Sequence, residues 1–241
     1  MTAKELSPGL VVQHLPTTLK LSDYKLIAFD MDSTLINIEC VDEIADAVGR
    51  KAEVAAITEA AMRGEITDFK DSLRRRVALL KGVTVADLEA VKRERLQLNP
   101  GAAALVAACK QAGLKVLLVS GGFTYFAEHV RALLGIDYTR SNVLEIASGP
   151  NCGVLTGGLV QQSWGDICDG AEKRRTLLEV ASLLGIESAQ CIAMGDGAND
   201  LPMMGEAGLS VAYHAKPAVR AKAHVAINSG GLDRLLEVLQ P

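Results

Sequence analysis

Three short apolar runs in the chain each end in a cluster of polar residues able to do chemistry. KLIAFD runs into Asp30-Met31-Asp32-Ser33-Thr34, KVLLVS into Ser120-Gly121-Gly122, and QCIAMG into Gly195-Asp196-Gly197-Ala198-Asn199-Asp200. Taken singly, such residues are ordinary turn formers and helix caps. Taken together, the carboxylates of Asp30, Asp32, Asp196 and Asp200 repel one another unless a cation neutralises them, and their hard oxygens suit a divalent ion, Mg²⁺ first. Gly121 and Gly122 let backbone N–H groups approach an anion at a helix start, which suits a phosphate. The common nucleotide sites are disfavoured: GDGAND has Asp200 where the dinucleotide fingerprint needs its third glycine, and no GxxxxGK[ST] loop occurs.

These clusters meet only if the runs before them are parallel strands of one sheet, where ligands bind beyond the carboxyl ends. The apolar runs at 25–30, 115–120, 190–195, 208–212 and 224–227 read as buried strands. Helical patterns lie between most of them, such as 100–112, with Pro100 at its start and Gly113 after its end, and 123–134, closed by Gly135. Strand and helix alternate, so the expected fold is α/β, a parallel sheet flanked by helices. Residues 36–96 hold roughly four helical segments and no convincing strand, a small helical domain inserted after the first strand. The expected division is therefore a core of 1–35 and 97–241 and a helical cap of 36–96. Residues 141–163, rich in glycine and β-formers, read as a hairpin-like excursion.

Helical angles sort the basic residues. Across 67–81, Arg76 lies about 20° from Phe69, on the face shared with Leu73 and Leu80, whereas Arg74 and Arg75 point elsewhere. Arg76 either snorkels past its apolar neighbours or reaches into a closed site, and periodicity does not separate the two. Lys173 shares a face with Leu177, Val180 and Leu184 in the first turn of a helix that leads into the strand at 190. Its place at the carboxyl edge of the sheet makes it a counter-charge for phosphate and carboxylates. Glu39 falls with Asp42, Glu43 and Asp46, opposite Ile44 and Val48, which reads as a solvated acidic face. Trp164, His14, His129, His214 and His224 form no ligand spacing.

Composition narrows the remaining options. A chain of 241 residues, 49% hydrophobic and 22% charged, is globular rather than disordered or fibrous, and needs no disulfide staples. The net charge of -4 argues against a nucleic-acid face. The longest strictly apolar run, 102–109, is too short to span a bilayer, and 1–15 lacks a basic segment followed by an apolar signal core. Neither nucleic acid nor membrane is an expected partner. Five cysteines (Cys40, Cys109, Cys152, Cys168 and Cys191), odd in number and without CxxC or zinc-like spacing, point to a reducing cytoplasm.

In order and spacing, DMDST at 30–34, SGGF at 120–123, Lys173 and GDGAND at 195–200 resemble the four motifs of haloacid-dehalogenase-superfamily phosphatases. LINIECVDEIA, FKDSLRRRVALLKG and AYHAKP resemble the phosphoserine phosphatases in particular. The likeness runs from about Lys25 to the C-terminus; many bacterial relatives carry an additional regulatory-type domain where this chain has a short leader. The resemblance implies Mg²⁺-dependent hydrolysis of L-phosphoserine, the last step of serine biosynthesis, through an aspartyl-phosphate. It makes Asp30 the nucleophile and Asp32 the general acid/base. Asp30, the backbone carbonyl of Asp32 and Asp196 would bind Mg²⁺. Asn199, counted among the substrate-binding residues, and Asp200, behind the ligands, would hold the metal shell and its loop. Ser120, Gly121, Gly122 and Lys173 would hold the phosphoryl oxygens. In the cap, Glu39 would meet the substrate amine, Arg76 its carboxylate, and Met62 and Phe69 its body. The alternatives are a related phosphatase or phosphotransferase acting on another small phosphomonoester, or, in a different class, a phospho-accepting receiver or an inactive binding module. The inserted cap and Lys173 with GDGAND argue against a receiver, and the complete set of expected catalytic residues against an inactive module. Nothing in the sequence sets the oligomeric state.

Overall fold

The computed structural model describes all residues except 1–2, 14, 16–18, 64 and 241, and the side chains of Met62 and Asn151 also lie outside the described residues, as does all of His14. The strands are β1 (Lys4–Ser7), β2 (Leu10–Val12), β3 (Leu19–Lys20), β4 (Leu26–Phe29), β5 (Lys115–Phe123), β6 (Tyr138–Ile146), β7 (Leu155–Val160), β8 (Cys191–Gly195), β9 (Leu209–Tyr213), β10 (Val225–Ile227) and β11 (Leu239–Gln240). The α-helices are α1 (Cys40–Ala47), α2 (Lys51–Met62), α3 (Phe69–Ala78), α4 (Val85–Glu94), α5 (Ala102–Gln111), α6 (Thr124–Leu134), α7 (Gly170–Leu184), α8 (Leu201–Met204) and α9 (Pro217–Arg220). Among the described residues no helix is long and apolar enough to cross a membrane.

The main sheet has the order β1-β2-β10-β9-β8-β4-β5-β6-β7, while β3 pairs with β11 apart from it. From β10 to β6 every neighbouring pair is parallel. The central strands β4, β8 and β9 are buried along their whole length because both faces of the sheet are covered there. In β4, Ile27 and Phe29 pack in a core with Leu105 of α5 and Phe126 of α6, while Leu26 and Ala28 join Leu177 of α7 and Met203 of α8 on the other side. Period-2 alternation thus sends successive residues into different cores, and no polar stripe survives. Register then places the chemistry: Phe29 lies opposite Leu118 of β5 and Met194 of β8, so the polar residues at the ends of all three strands share the same edge.

Two features differ from the sequence reading. The helical insertion follows the fourth strand of the chain rather than the first, because residues before β4 form strands of their own. The sheet is also mixed at its start: β1 and β2 form an antiparallel hairpin whose second strand runs antiparallel to β10, whereas the antiparallel return of β7 on β6 is the hairpin expected over 141–163. A short strand such as β2 gives little periodic signal by itself, and it is held by a partner from the other end of the chain.

Helices α1 to α4 lie between β4 and β5, and the two connections to the core pair with each other. Ile36 and Leu98 form an antiparallel bridge, Asn37 N–H donates to the Gln97 carbonyl at 3.0 Å, and Asn99 Nδ2 donates to the carbonyls of Thr34 at 2.8 Å and Ile36 at 3.0 Å. The insertion also rests on the β6–β7 hairpin, where Leu155 N–H donates to the Val83 carbonyl at 2.7 Å and Gly82 N–H to the Leu155 carbonyl at 3.0 Å.

Leu10 of β2 is wholly buried in the core opposite Ile227. Leu10→Ala should therefore lower stability in urea unfolding by about 2–5 kcal/mol. A loss below about 0.5 kcal/mol, the level of a surface change, would show that the hairpin lies outside the cooperative unit.

Candidate active site

Asp30 leaves β4 in extended conformation and accepts the N–H of Met31 at 2.7 Å. The chain then makes a wide turn over Met31–Leu35, in which Ser33 adopts φ +56°, a left-handed conformation uncommon for a residue with a side chain. The turn distributes its polar groups to separate partners. Ser33 Oγ donates to Glu39 Oε1 at 2.7 Å, Thr34 Oγ1 donates to Asp196 Oδ1 at 3.1 Å, and the Asp32 carboxylate accepts the Cys40 N–H at 3.2 Å and the Cys40 thiol at 3.1 Å.

Lys173 is wholly buried and joins two of the strand-end clusters. Its Nζ lies 2.8 Å from Asp30 Oδ1 and 2.6 Å from Asp200 Oδ1. Burial lowers its pKa, but the charges of Asp200 and Asp30 outweigh that, so it is held above the ordinary lysine value and stays charged. It reaches them because Asp169 caps the start of α7, accepting the Glu172 N–H at 2.8 Å.

Oxygens of Asp30, Asp196 and Asp200 come within 4.8 Å of one another. Burial, then the charge of Asp200, raises Asp30 well above the usual carboxylate range, with Lys173 pulling it down. The same two causes raise Asp196 to about 6. One ammonium therefore does not neutralise this cluster, and an all-oxygen donor set with excess negative charge fits a hard divalent cation. Asp200, expected behind the metal ligands, has its carboxylate within the cluster, with Oδ2 accepting the Gly197 N–H at 3.0 Å. A Cβ on Gly195 would lie 2.3 Å from Asp200 Cγ, so only glycine leaves room for that carboxyl at the end of β8. The Asp32 carboxylate is turned to Cys40 and is not part of the cluster. Burial, then the charge of Glu39, raises it to about 7 against the two hydrogen bonds from Cys40.

At the end of β5, the buried Ser120 accepts the Gly122 N–H on Oγ at 2.8 Å. A Cβ on Gly122 would lie 3.0 Å from Asp32 Oδ2, and one on Gly121 3.0 Å from the Phe69 ring, so neighbouring groups already crowd the loop. Sequence reasoning missed Asn142 on β6. Its Nδ2 donates to the Gly121 carbonyl at 2.8 Å and its Oδ1 accepts the Cys168 N–H at 2.9 Å, tying this loop to the approach to α7. An asparagine in a strand pattern is a weak signal until its surroundings are known. Thr34 and Cys40 were missed as well; they adjoin residues singled out by type, but only the turn shows what they touch.

Asp30, Asp32, Glu39, Phe69, Arg76, Ser120, Gly121, Gly122, Asp196 and Asn199 line one cavity of about 180 Å³. Lys173 lies beneath it through Asp30. Met62 ends α2, and its side chain is outside the described residues. The solvated-face reading of Glu39 is incomplete rather than wrong: the residue is exposed, and it also lines the cavity and accepts the Ser33 hydroxyl. Glu43 and Asp46 instead take Arg95, at 2.7 and 2.5 Å. Arg74 pairs with Asp166 and Arg75 with Asp71, whereas Arg76 Nε is buried without a hydrogen-bond partner, as is Asp42 Oδ1. A guanidinium with a buried, unsatisfied N–H on a cavity wall is ready for an anion.

A family profile described as haloacid dehalogenase-like hydrolase matches residues 27–205. The chain is 73% identical to a phosphoserine phosphatase of Polaromonas sp. over 240 residues, covering 100% of both chains, and 72% identical to one of Albidiferax ferrireducens, covering 98% of each. Among solved structures it resembles a phospho-aspartyl intermediate analogue of phosphoserine phosphatase, with a TM-score of 0.81, 37% identity and coverage of 90% of this chain and 99% of that one. A substrate-bound phosphoserine phosphatase complex gives 0.81 at 36% identity, with the same coverage. The chain belongs to the haloacid dehalogenase-like hydrolases and, within them, to the family of the phosphoserine phosphatases.

Proposed function

We propose that the chain hydrolyses L-phosphoserine to L-serine and phosphate through an aspartyl-phosphate on Asp30. The observation that carries this reading is the pairing of opposite charges over a carboxylate nucleophile: Glu39 and Arg76 line the same small cavity as Asp30, and Arg76 Nε has no partner of its own. An ammonium and a carboxylate on one small substrate satisfy both.

In the first step an Asp30 oxygen attacks phosphorus in line as the bond from phosphorus to the serine oxygen breaks, and Asp32 gives its proton to that departing oxygen. In the second, Asp32 takes a proton from water, the water oxygen attacks phosphorus, and Asp30 is released as carboxylate with phosphate. The Ser120 hydroxyl, itself accepting the Gly122 N–H, and the N–H of Gly121 hold phosphoryl oxygens, and Lys173 balances charge from below. Mg²⁺, held by Asp30, Asp196 and the backbone carbonyl of Asp32 with Asp200 and Asn199 beside them, supplies charge neutralisation when bound. Residues 36–96 act as a cap that reads the amino-acid part of the substrate and excludes water. The reading places the enzyme in the cytoplasm, in accord with five free cysteines, four of them buried.

Three measurements test this. Asp30→Asn should keep the fold by circular dichroism and lose phosphate release, because an amide does not attack phosphorus; substantial turnover would overturn the covalent route. Arg76→Ala should lower kcat/KM for phosphoserine by about ten- to a hundredfold, and far less for phosphoethanolamine, which has no carboxylate. Arg75→Ala, whose side chain pairs within its own helix, should leave both substrates unchanged, and equal losses in the two variants would remove Arg76 from the site. In Asp32→Asn, phosphoserine should be attacked slowly for want of a proton donor, while an aryl phosphate, with its better leaving group, should give a burst of phenol and trapped phosphoenzyme. Equal loss of the first step with both substrates, read by rapid quench, would make Asp32 a scaffold residue.

A further inference from the structure

A residue that moves protons at both ends of a reaction must be held at one angle, and the Asp32 carboxylate is held entirely by Cys40. The Cys40 N–H donates to Oδ2 at 3.2 Å and its thiol to Oδ1 at 3.1 Å, and among the described residues these are the only hydrogen bonds that carboxylate receives. The other polar side chains of the turn are occupied elsewhere, Ser33 with Glu39 and Thr34 with Asp196. Cys40 is wholly buried and opens α1, so its N–H is among those of the first turn left free by helix geometry. The N–H alone fixes one oxygen and leaves the carboxyl free to rotate about its last bond; the thiol fixes the second oxygen.

We infer that Cys40 is a positioning residue for the proton transfers: its thiol sets the orientation of the Asp32 carboxyl, and it does so from the first residue of the first inserted helix. The inference rests on the acid/base reading of Asp32. Because the hydrogen bond spans the start of the insertion, a shift of α1 against the Met31–Leu35 turn would release the acid from its working angle. The thiol acts as a donor, so a hydroxyl can replace it and a methyl group cannot.

The test compares Cys40→Ala with Cys40→Ser in the full chain. Cys40→Ala should lower kcat for phosphoserine by about five- to tenfold with KM within about twofold, as expected for one lost hydrogen bond that acts in the chemical step. Cys40→Ser should restore at least half of the loss. The phenol burst of Cys40→Ala with an aryl phosphate should match that of the unaltered chain, since its first step needs little proton donation. Equal defects in the alanine and serine variants, or an alanine defect as large in the aryl burst as with phosphoserine, would overturn the inference, and the second pattern would identify a packing or folding effect. Asp32→Asn assayed in parallel separates the two levels. If it fails to distinguish the substrates, the acid/base reading falls and this inference with it; if it distinguishes them and Cys40→Ala does not, the role of Cys40 alone is wrong.

Discussion

A lysine with no solvent exposure stays charged only where carboxylates surround it, and the site is built around that requirement. Lys173 is clamped between Asp30 and Asp200, which leave the ends of different strands. Removing Lys173 would strand two buried carboxylates, at a cost of about 3–5 kcal/mol, whereas removing either carboxylate leaves the ammonium paired with the other. The geometry of the sheet is what makes the clamp possible. Parallel β4 and β8 deliver the two carboxylates at one edge, and α7, running back from that edge, delivers the ammonium in its first turn. Asn142 fixes the third contributor by tying the end of β5 to the approach to α7. Asp30, Lys173 and the Gly121–Gly122 segment are thus tied together.

That unit still has more negative than positive charge. Burial first, and the charge of Asp200 second, push Asp30 and Asp196 up, and a divalent cation with oxygen ligands would relieve the charge part. A phosphoryl group would add its own charge to that of the carboxylates, so on the proposed reading neutralisation would have to come from Lys173, a cation and backbone N–H groups.

The inserted helices do a different task. The core edge offers groups suited to a phosphoryl group and none specific to the rest of a substrate, whereas the residue before α1, Glu39, and α3, through Arg76, reach the other wall of the cavity. The insertion is tied to the core where its two connections pair at Ile36 and Leu98, along the β6–β7 hairpin, and through the ion pairs of Lys70 with Asp169 and Arg74 with Asp166. The exposed ion pairs are worth little individually. The relation between insertion and core rests mainly on paired backbone at the connections and on the hairpin.

The strands that carry the site, the helices between them and the residue types at their ends were legible in the sequence, because each is a local property: an apolar run long enough for a buried strand, a periodic helix, a glycine at its end. Arg76 could be singled out by its angle on α3, although only its buried, unpartnered Nε decides between snorkelling and a site. Glu39 was read as solvated, which it is, but its place on the cavity was not legible for a geometric reason. It precedes α1 with φ -96° and ψ 108°, outside helical geometry, so projecting it at 100° per residue with Asp42, Glu43 and Asp46 assigns it a face it does not share. The β1–β2 hairpin was illegible because its partner strand, β10, is contributed by the other end of the chain. The two bonds from Cys40 to Asp32 depend on a left-handed residue between them, Ser33, which no pattern announces. The sequence by itself determined which groups stand at the ends of which elements. Distances, partners and protonation were decided only by tertiary structure, because they depend on strand order, on the turn after β4 and on what each buried group finds beside it.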